Sequence, residues 1–214
     1  MDKRFKIKIE VLVFMISATL LLIAISSAWS VYMEGHVANR NAQEANVRFD
    51  LIVLKNETTE RSSEVVPVME TVETESPVVV LPVTLYSPIA KISAERIGLN
   101  VSVLSEWSYE LLDISVNKFS GPEPNEVGNF IVIGHSYLSD AHFGSLHLLK
   151  IGDLMELTDL SGRKLTYEVY EIQVIKPEEL EKLLTDQVKT LTLVTCDTDN
   201  QFRLVVKSKA IRLN

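Results

Sequence analysis

Residues 11–31 carry no charge and are mostly apolar, whereas elsewhere apolar positions recur in short runs broken by polar ones. Twenty-one helical residues at about 1.5 Å each span about 31 Å, enough for a hydrocarbon core of about 30 Å. The pattern therefore predicts a membrane-crossing helix. The small residues of SSAWS, 26–30, would suit a signal-peptide cleavage site, but the apolar core of such a peptide is normally only about 7 to 15 residues. An uncleaved anchor is expected. Residues 1–10 form its basic flank, with four Lys or Arg against one Asp in the first eight positions. That bias keeps the N-terminus cytoplasmic and sends everything after the span outside.

Beyond the span the patterning weakens. Residues 34–55 are helix formers with apolar spacing at Val37, Val47, Leu51 and Leu54, which suits a helix continuing past the membrane. Residues 55–83 are rich in Glu, Thr, Ser and Pro and contain no Gly. Repelling glutamates and extended proline backbone predict a stalk over residues 32–83, part helical, that holds the following domain away from the membrane.

From residue 84 the texture changes to short β-branched and apolar runs separated by turn signals, so residues 84–214 read as a mainly β domain of ordinary size. Residues 89–104 read as two strands, or one strand bent at Gly98, and residues 128–135 as a buried strand ending in Gly134-His135. A strand at 153–158, a turn at Ser161-Gly162 and a long strand at 164–175 form a hairpin, with Tyr170, Ile172 and Val174 alternating against polar neighbours. Residues 190–196 and 203–211 add two further strands. Short helices are expected near 107–112 and from Pro177, where Leu180, Leu183 and Leu184 share a face. Many short strands with few helices point to a closed barrel or a sandwich.

Charge narrows the partners. The formal net charge of −8 divides into +2 over residues 1–33, −5 over 34–83 and −5 over 84–214. No basic surface is available for nucleic acid.

Cys196 is the only cysteine in the chain. It cannot form an intramolecular disulfide, which leaves an inert buried thiol, an intermolecular crosslink or a reactive nucleophile. Alternation puts Leu191, Leu193 and Thr195 on one strand face and Thr192, Val194 and Cys196 on the other, so the thiol falls where the strand meets the polar loop DTDN. That is an accessible place. A hairpin through this loop would bring Arg203 beside Cys196, where a guanidinium favours thiolate and donates to a developing oxyanion.

The run TLVTC at 192–196, with Gly134-His135 before it and Arg203 seven residues after the cysteine, resembles the sortases, membrane-anchored cysteine transpeptidases of Gram-positive bacteria. GNFIVIGHSY is similar to the strand and loop bearing that family's histidine, TLVTCD to its signature strand, FRLVVKSKAI to its last strand and IAKISAERIGLNVSVL to its opening strands. The likeness covers residues 84–214. It implies a mainly β, closed sortase-like barrel of about eight strands with two or three short helices. It also implies Cys196 as nucleophile, His135 as general acid/base, and Arg203 as the residue that holds the substrate carbonyl and its oxyanion. The implied substrate is an LPXTG-like sorting signal of another exported protein, cleaved after its threonine and passed through a thioester to an amine of the cell-wall precursor. Within the family, no Asp-Pro-aromatic lid precedes the domain, no second apolar span follows it, and the connection between residues 175 and 189 is short. These features favour a housekeeping- or sporulation-type enzyme.

The implied chemistry asks for all three residues. Sulfur attack on an amide creates an oxyanion, the leaving amine needs a proton, and the incoming amine must lose one. At pH 7 a free cysteine is only about 3% thiolate and a free imidazole about a quarter protonated, so the surroundings must supply activation. Arginine stays charged and stabilises the oxyanion without joining the proton transfer.

Other residues receive plainer expectations. Thr195 either touches substrate or packs structurally. His142 and His147 share no helical face and read as surface histidines, with His142 the weaker candidate for a substrate groove. His36 lies close to the anchor, Trp107 and Tyr109 read as core or rim, and Asp197 either caps the loop or orients a partner. Glu110, Asp113, Glu123 and Glu126 match no calcium loop, so neither a metal nor a cofactor is expected. Cys196 lacks the Ser-His/Asn-Gly context of an L,D-transpeptidase, and the His-before-Cys order is the reverse of the papain-like wall hydrolases. A non-enzymatic, membrane-anchored surface module with an inert Cys196 is the competing reading.

Overall fold

The computed structural model describes residues 3–62, 86–183, 188–196 and 201–212. One helix, α1 (Lys3–Ser62), carries both the apolar span and the first part of the segment expected to be a stalk. Its most apolar eighteen-residue window has a mean hydropathy of 2.2 and is wholly unburied. A helix segment this apolar and this exposed is consistent with single-pass membrane anchoring. The remaining stalk residues, 63–85, lie outside the described residues.

Eight strands follow: β1 (Pro88–Ala94), β2 (Leu99–Leu104), β3 (Val116–Ser120), β4 (Gly128–Ile133), β5 (Leu154–Asp159), β6 (Lys164–Ile175), β7 (Lys189–Cys196) and β8 (Arg203–Ile211). They close into a barrel in the order β1-β2-β3-β4-β7-β8-β6-β5, with β5 returning to β1. The fold is thus the mainly β closed barrel expected. Residues 89–104 resolve into two strands, because a 3₁₀ turn at Glu95–Ile97 ends at Gly98, whose φ of 65° a side chain would disfavour. Neighbouring strands are antiparallel except for two parallel pairs, β2 with β3 and β4 with β7. β3 escapes the hydropathy pattern, since VNKFS holds only two apolar residues. It follows a four-residue helix, α2 (Tyr109–Leu112), whose first turn is capped by Ser108 Oγ accepting from the Leu111 amide at 3.2 Å.

Alternation sorts the strand residues into two cores. Ile92, Val103, Phe130, Val132, Leu193 and Val206 fill the barrel interior, each 1% exposed or less. Full burial of such side chains stabilises by roughly 1.5–3 kcal/mol apiece. Ile131, Val194 and Val205 have the opposite parity and form a second cluster with Ile175 and Leu183, beneath the 3₁₀ segment Pro177–Leu183. One outer face of the barrel is therefore apolar and partly roofed.

Past the membrane span, α1 packs on β1 and β2. Its buried stripe is Ala38, Ala42, Ala45 and Phe49, whereas Val37, Val47, Leu51 and Leu54, the face marked by hydropathy, are exposed. Size explains which face is buried. Alanines let the helix approach closely enough for its amide side chains to reach the barrel backbone. Asn46 donates to the Asn100 carbonyl at 2.9 Å and accepts from Ser102 Oγ at 2.7 Å, while Asn41 donates to the Asp113 carbonyl and Asn56 to the Leu160 carbonyl, both at 3.1 Å. This part of α1 lies along the barrel.

Candidate active site

β4 and β7 run parallel with Ile133 opposite Val194, so His135 and Cys196, each two residues further on, leave the sheet at the same end. β8 returns antiparallel and sets Arg203 directly opposite Cys196. Directly opposed residues project to one face with Cβ atoms about 4.5–5.5 Å apart. By alternation from Val194 and Val205, that face is the outer, roofed one. Cys196, Arg203 and His135 accordingly line one cavity of ≈ 240 Å³, together with Ile133 and Val194 and with Trp107, Phe119 and Leu180. Trp107 packs at 5.9 Å from Phe119 and edge-on to Tyr109 at 6.0 Å, and both Trp107 and Tyr109 keep exposed faces. They form a rim. Cys196 itself is partly exposed.

Gly134 follows β4 where Val116 and Phe143 close in. A Cβ here would lie 2.7 Å from Val116 Cγ1 and 2.8 Å from Phe143 Cδ2, so no side chain fits. Its amide donates to the Val194 carbonyl at 3.1 Å, and its carbonyl accepts from Thr195 Oγ1 at 2.8 Å. Thr195 is 3% exposed, so its hydroxyl ties the residue before the cysteine to the residue before the histidine. Packing accounts for Thr195, although its side of the strand end also borders the cavity.

The His135 carbonyl accepts from the Phe143 amide at 3.0 Å, and its Nε2 lies 3.3 Å from Asp113 Oδ1. Asp113 is largely exposed, and a pair this wet contributes at most about 1 kcal/mol. Its effect is orientation. Asp113 matched no calcium loop in the sequence, and no local signal links it to a histidine 22 positions later. Arg203 Nη1 donates to the Phe202 carbonyl at 2.9 Å, which holds the guanidinium at the cavity edge.

His142 departs from its expected surface position. It is 3% exposed, has a φ of 49°, and is bridged to Ser136 by the loop that leaves His135. That loop folds back beneath α1, which is why a polar residue in a polar stretch becomes buried. The Tyr137 ring stands between the two histidines, 5.5 Å from His135 and 5.2 Å from His142. Burial, then the carboxylates of Asp113 and Glu34, push Tyr137 up to about 12, so it remains a neutral phenol. Neither His142 ring nitrogen makes a well-formed hydrogen bond, although the Ile114 and Ala38 backbones lie close enough to favour its protonated form. Burial first, and the nearby His135 second, push His142 down to about 4.

This depression has a measurable consequence. The unfolded chain binds a proton at His142 near pH 6.5, the folded chain only near pH 4, so stability is complete above pH 6.5 and declines as pH falls through that window. The loss should total about 3 kcal/mol. Urea unfolding of the detergent-solubilised chain at pH 7 and pH 4 measures it. His142→Asn, which tolerates positive φ and does not titrate, should flatten the decline by that amount.

The remaining candidates lie away from the cavity. His147 is exposed, with Nδ1 3.0 Å from the Gly144 carbonyl, and His36 sits on α1 with its ring 4.2 Å from that of Tyr32. Glu123 pairs with Lys118 and Glu126 with Arg163, each at 2.7 Å. Among the described residues no three His, Cys, Asp or Glu side chains cluster as metal ligands do. Asp197 and Leu184 lie outside the described residues.

A family model for the sortase domain matches residues 92–211, more than half of the chain. Among solved structures, a Clostridium perfringens sortase D5 transpeptidase superposes with a TM-score of 0.58 at 24% identity, covering 83% of this chain and 99% of that one. Sortase C1 from Streptococcus suis gives 0.55 at 26% identity over 61% and 76%. Sortase A from Corynebacterium diphtheriae gives 0.56 at 21% over 88% and 97%. The first and last of these speak to the fold alone, and together the three span several classes. No curated protein sequence matches significantly.

Proposed function

Because the chain belongs to the sortase family, we propose that it is a membrane-anchored cysteine transpeptidase acting on an LPXTG-like sorting signal of exported proteins. One observation carries the assignment of roles: Cys196 and Arg203 are cross-strand partners at the end of β7 and β8, and His135 opens into the same cavity. Cys196 sulfur attacks the carbonyl carbon of the threonine, and the carbonyl oxygen becomes an oxyanion held by the Arg203 guanidinium. His135 gives a proton to the departing amine, the C–N bond breaks, and a thioester remains on Cys196. An amine of the cell-wall precursor then attacks the thioester, loses a proton to His135 and releases the thiolate. The apolar cavity wall suits the aliphatic part of such a signal. The basic flank of α1 supports an orientation with the barrel outside the cell.

The test is incubation of the full chain in detergent with a panel of quenched sorting-signal peptides, with and without an added amine. Cleavage after threonine, amide product with the amine, and loss of both on alkylation of Cys196 are expected. Slow alkylation with no peptide cleaved would instead support a surface module with an inert thiol.

A further inference from the structure

The loop that carries His135 ends in an exposed leucine. Leu138 is 89% exposed, more than any other large hydrophobic side chain among the described residues. Its loop lies against α1 at the end of the apolar span: Leu138, Ser139 and Asp140 line one cavity with Ala28, Val31 and Tyr32. One turn further along, a Cβ on Gly35 would come within 2.6 Å of Ser139 Oγ, and Asn39 donates to Asp140 at 3.3 Å. The height of this loop on α1 is therefore set by contact.

The same turns of α1 bear the marks of a membrane boundary. Charges begin at Glu34, and the side chains of Trp29 and Tyr32 are 64% and 57% exposed. Aromatic residues with an apolar body and a polar tip favour the headgroup level. α1 runs unbroken from the span to its packing on the barrel, so the barrel cannot swing away without breaking the Asn39, Asn41 and Asn46 contacts.

We infer that the loop of residues 136–140 docks on the bilayer surface, with Leu138 entering the interfacial region beside Trp29 and Tyr32. The inference rests on residues 11–31 crossing the membrane. Glu34 and Asp113 act on Tyr137, and Asp140 lines the same cavity as Leu138 and His36, so these carboxylates disfavour anionic lipid and the contact proposed is apolar. Tyr137 touches the rings of His135 and His142, which makes the docked loop continuous with the cavity mouth.

Because Cys196 is the sole cysteine, a Cys196→Ala background accepts single reporter cysteines in the full chain. Leu138→Cys, Ile23→Cys and Val127→Cys, each labelled with an environment-sensitive fluorophore, are reconstituted in phosphatidylcholine vesicles containing a nitroxide lipid, shallow to report on Leu138 and Val127 and deep to report on Ile23. Val127 is a fitting control, being 62% exposed and at the far end of β4 from His135. The Leu138 and Ile23 probes should both be quenched, and the Val127 probe should not. Quenching at Leu138 no greater than at Val127, with Ile23 quenched, overturns the docking. Absence of quenching at Ile23 overturns the membrane span beneath it, and quenching at Leu138 confined to anionic vesicles overturns the apolar mode of contact.

Discussion

Cys196→Ala is expected to end cleavage of every sorting-signal peptide, with turnover lower by on the order of 10⁴-fold or more, as when a covalent nucleophile is removed from a cooperating set. No other thiol in the chain could form the proposed thioester. The fold should survive, because Cys196 is partly exposed at a strand end and its backbone pairing with Arg203 does not depend on the side chain. Peptide turnover measured beside the thermal unfolding midpoint separates the two effects. Retained turnover in a folded Cys196→Ala protein would sink the assignment of the nucleophile.

The second large effect separates the two cationic residues. Arg203→Lys keeps one positive charge but loses the planar fork of donors, and a loss of about 10²-fold or more in turnover is expected, comparable with removing one oxyanion donor. The shape of its pH profile should not change, since an arginine takes no part in the proton transfers. His135→Gln should be nearly inactive at neutral pH and should lose the acid limb of the bell-shaped profile, because the group whose proton expels the amine is gone. Cleavage rates from about pH 5 to 10 for both variants supply the comparison. A wild-type rate for Arg203→Lys, or a His135→Gln variant altered only in substrate binding, would reverse the roles.

How far the chain could be read from its residues differs from element to element. β7 was legible because Leu191, Leu193 and Thr195 alternate with Thr192, Val194 and Cys196, and alternation is a property of a segment alone. The hairpin of β5 and β6 was legible for the same reason, with Ser161-Gly162 marking its turn. β3 was not, since it is held by its neighbours β2 and β4 rather than by an apolar pattern of its own. The cross-strand meeting of Cys196 and Arg203 followed from a short hairpin. The convergence of His135 on the same cavity required the parallel pairing of β4 with β7, which joins segments about sixty residues apart.

Length and uninterrupted hydropathy made the apolar span of α1 readable, since those two properties belong to the segment alone. The face that α1 turns to the barrel was not legible, because a hydropathy pattern weighs how apolar a residue is, whereas close packing selected the small side chains Ala38, Ala42 and Ala45. The same closure buried His142, oriented His135 beside Asp113 and spent the Thr195 hydroxyl on Gly134. Periodicity and spacing within a segment are encoded locally and survive in any environment. Burial, orientation and the partner of a polar group depend on which distant segment arrives opposite, and that was decided when the barrel closed and α1 lay down along it.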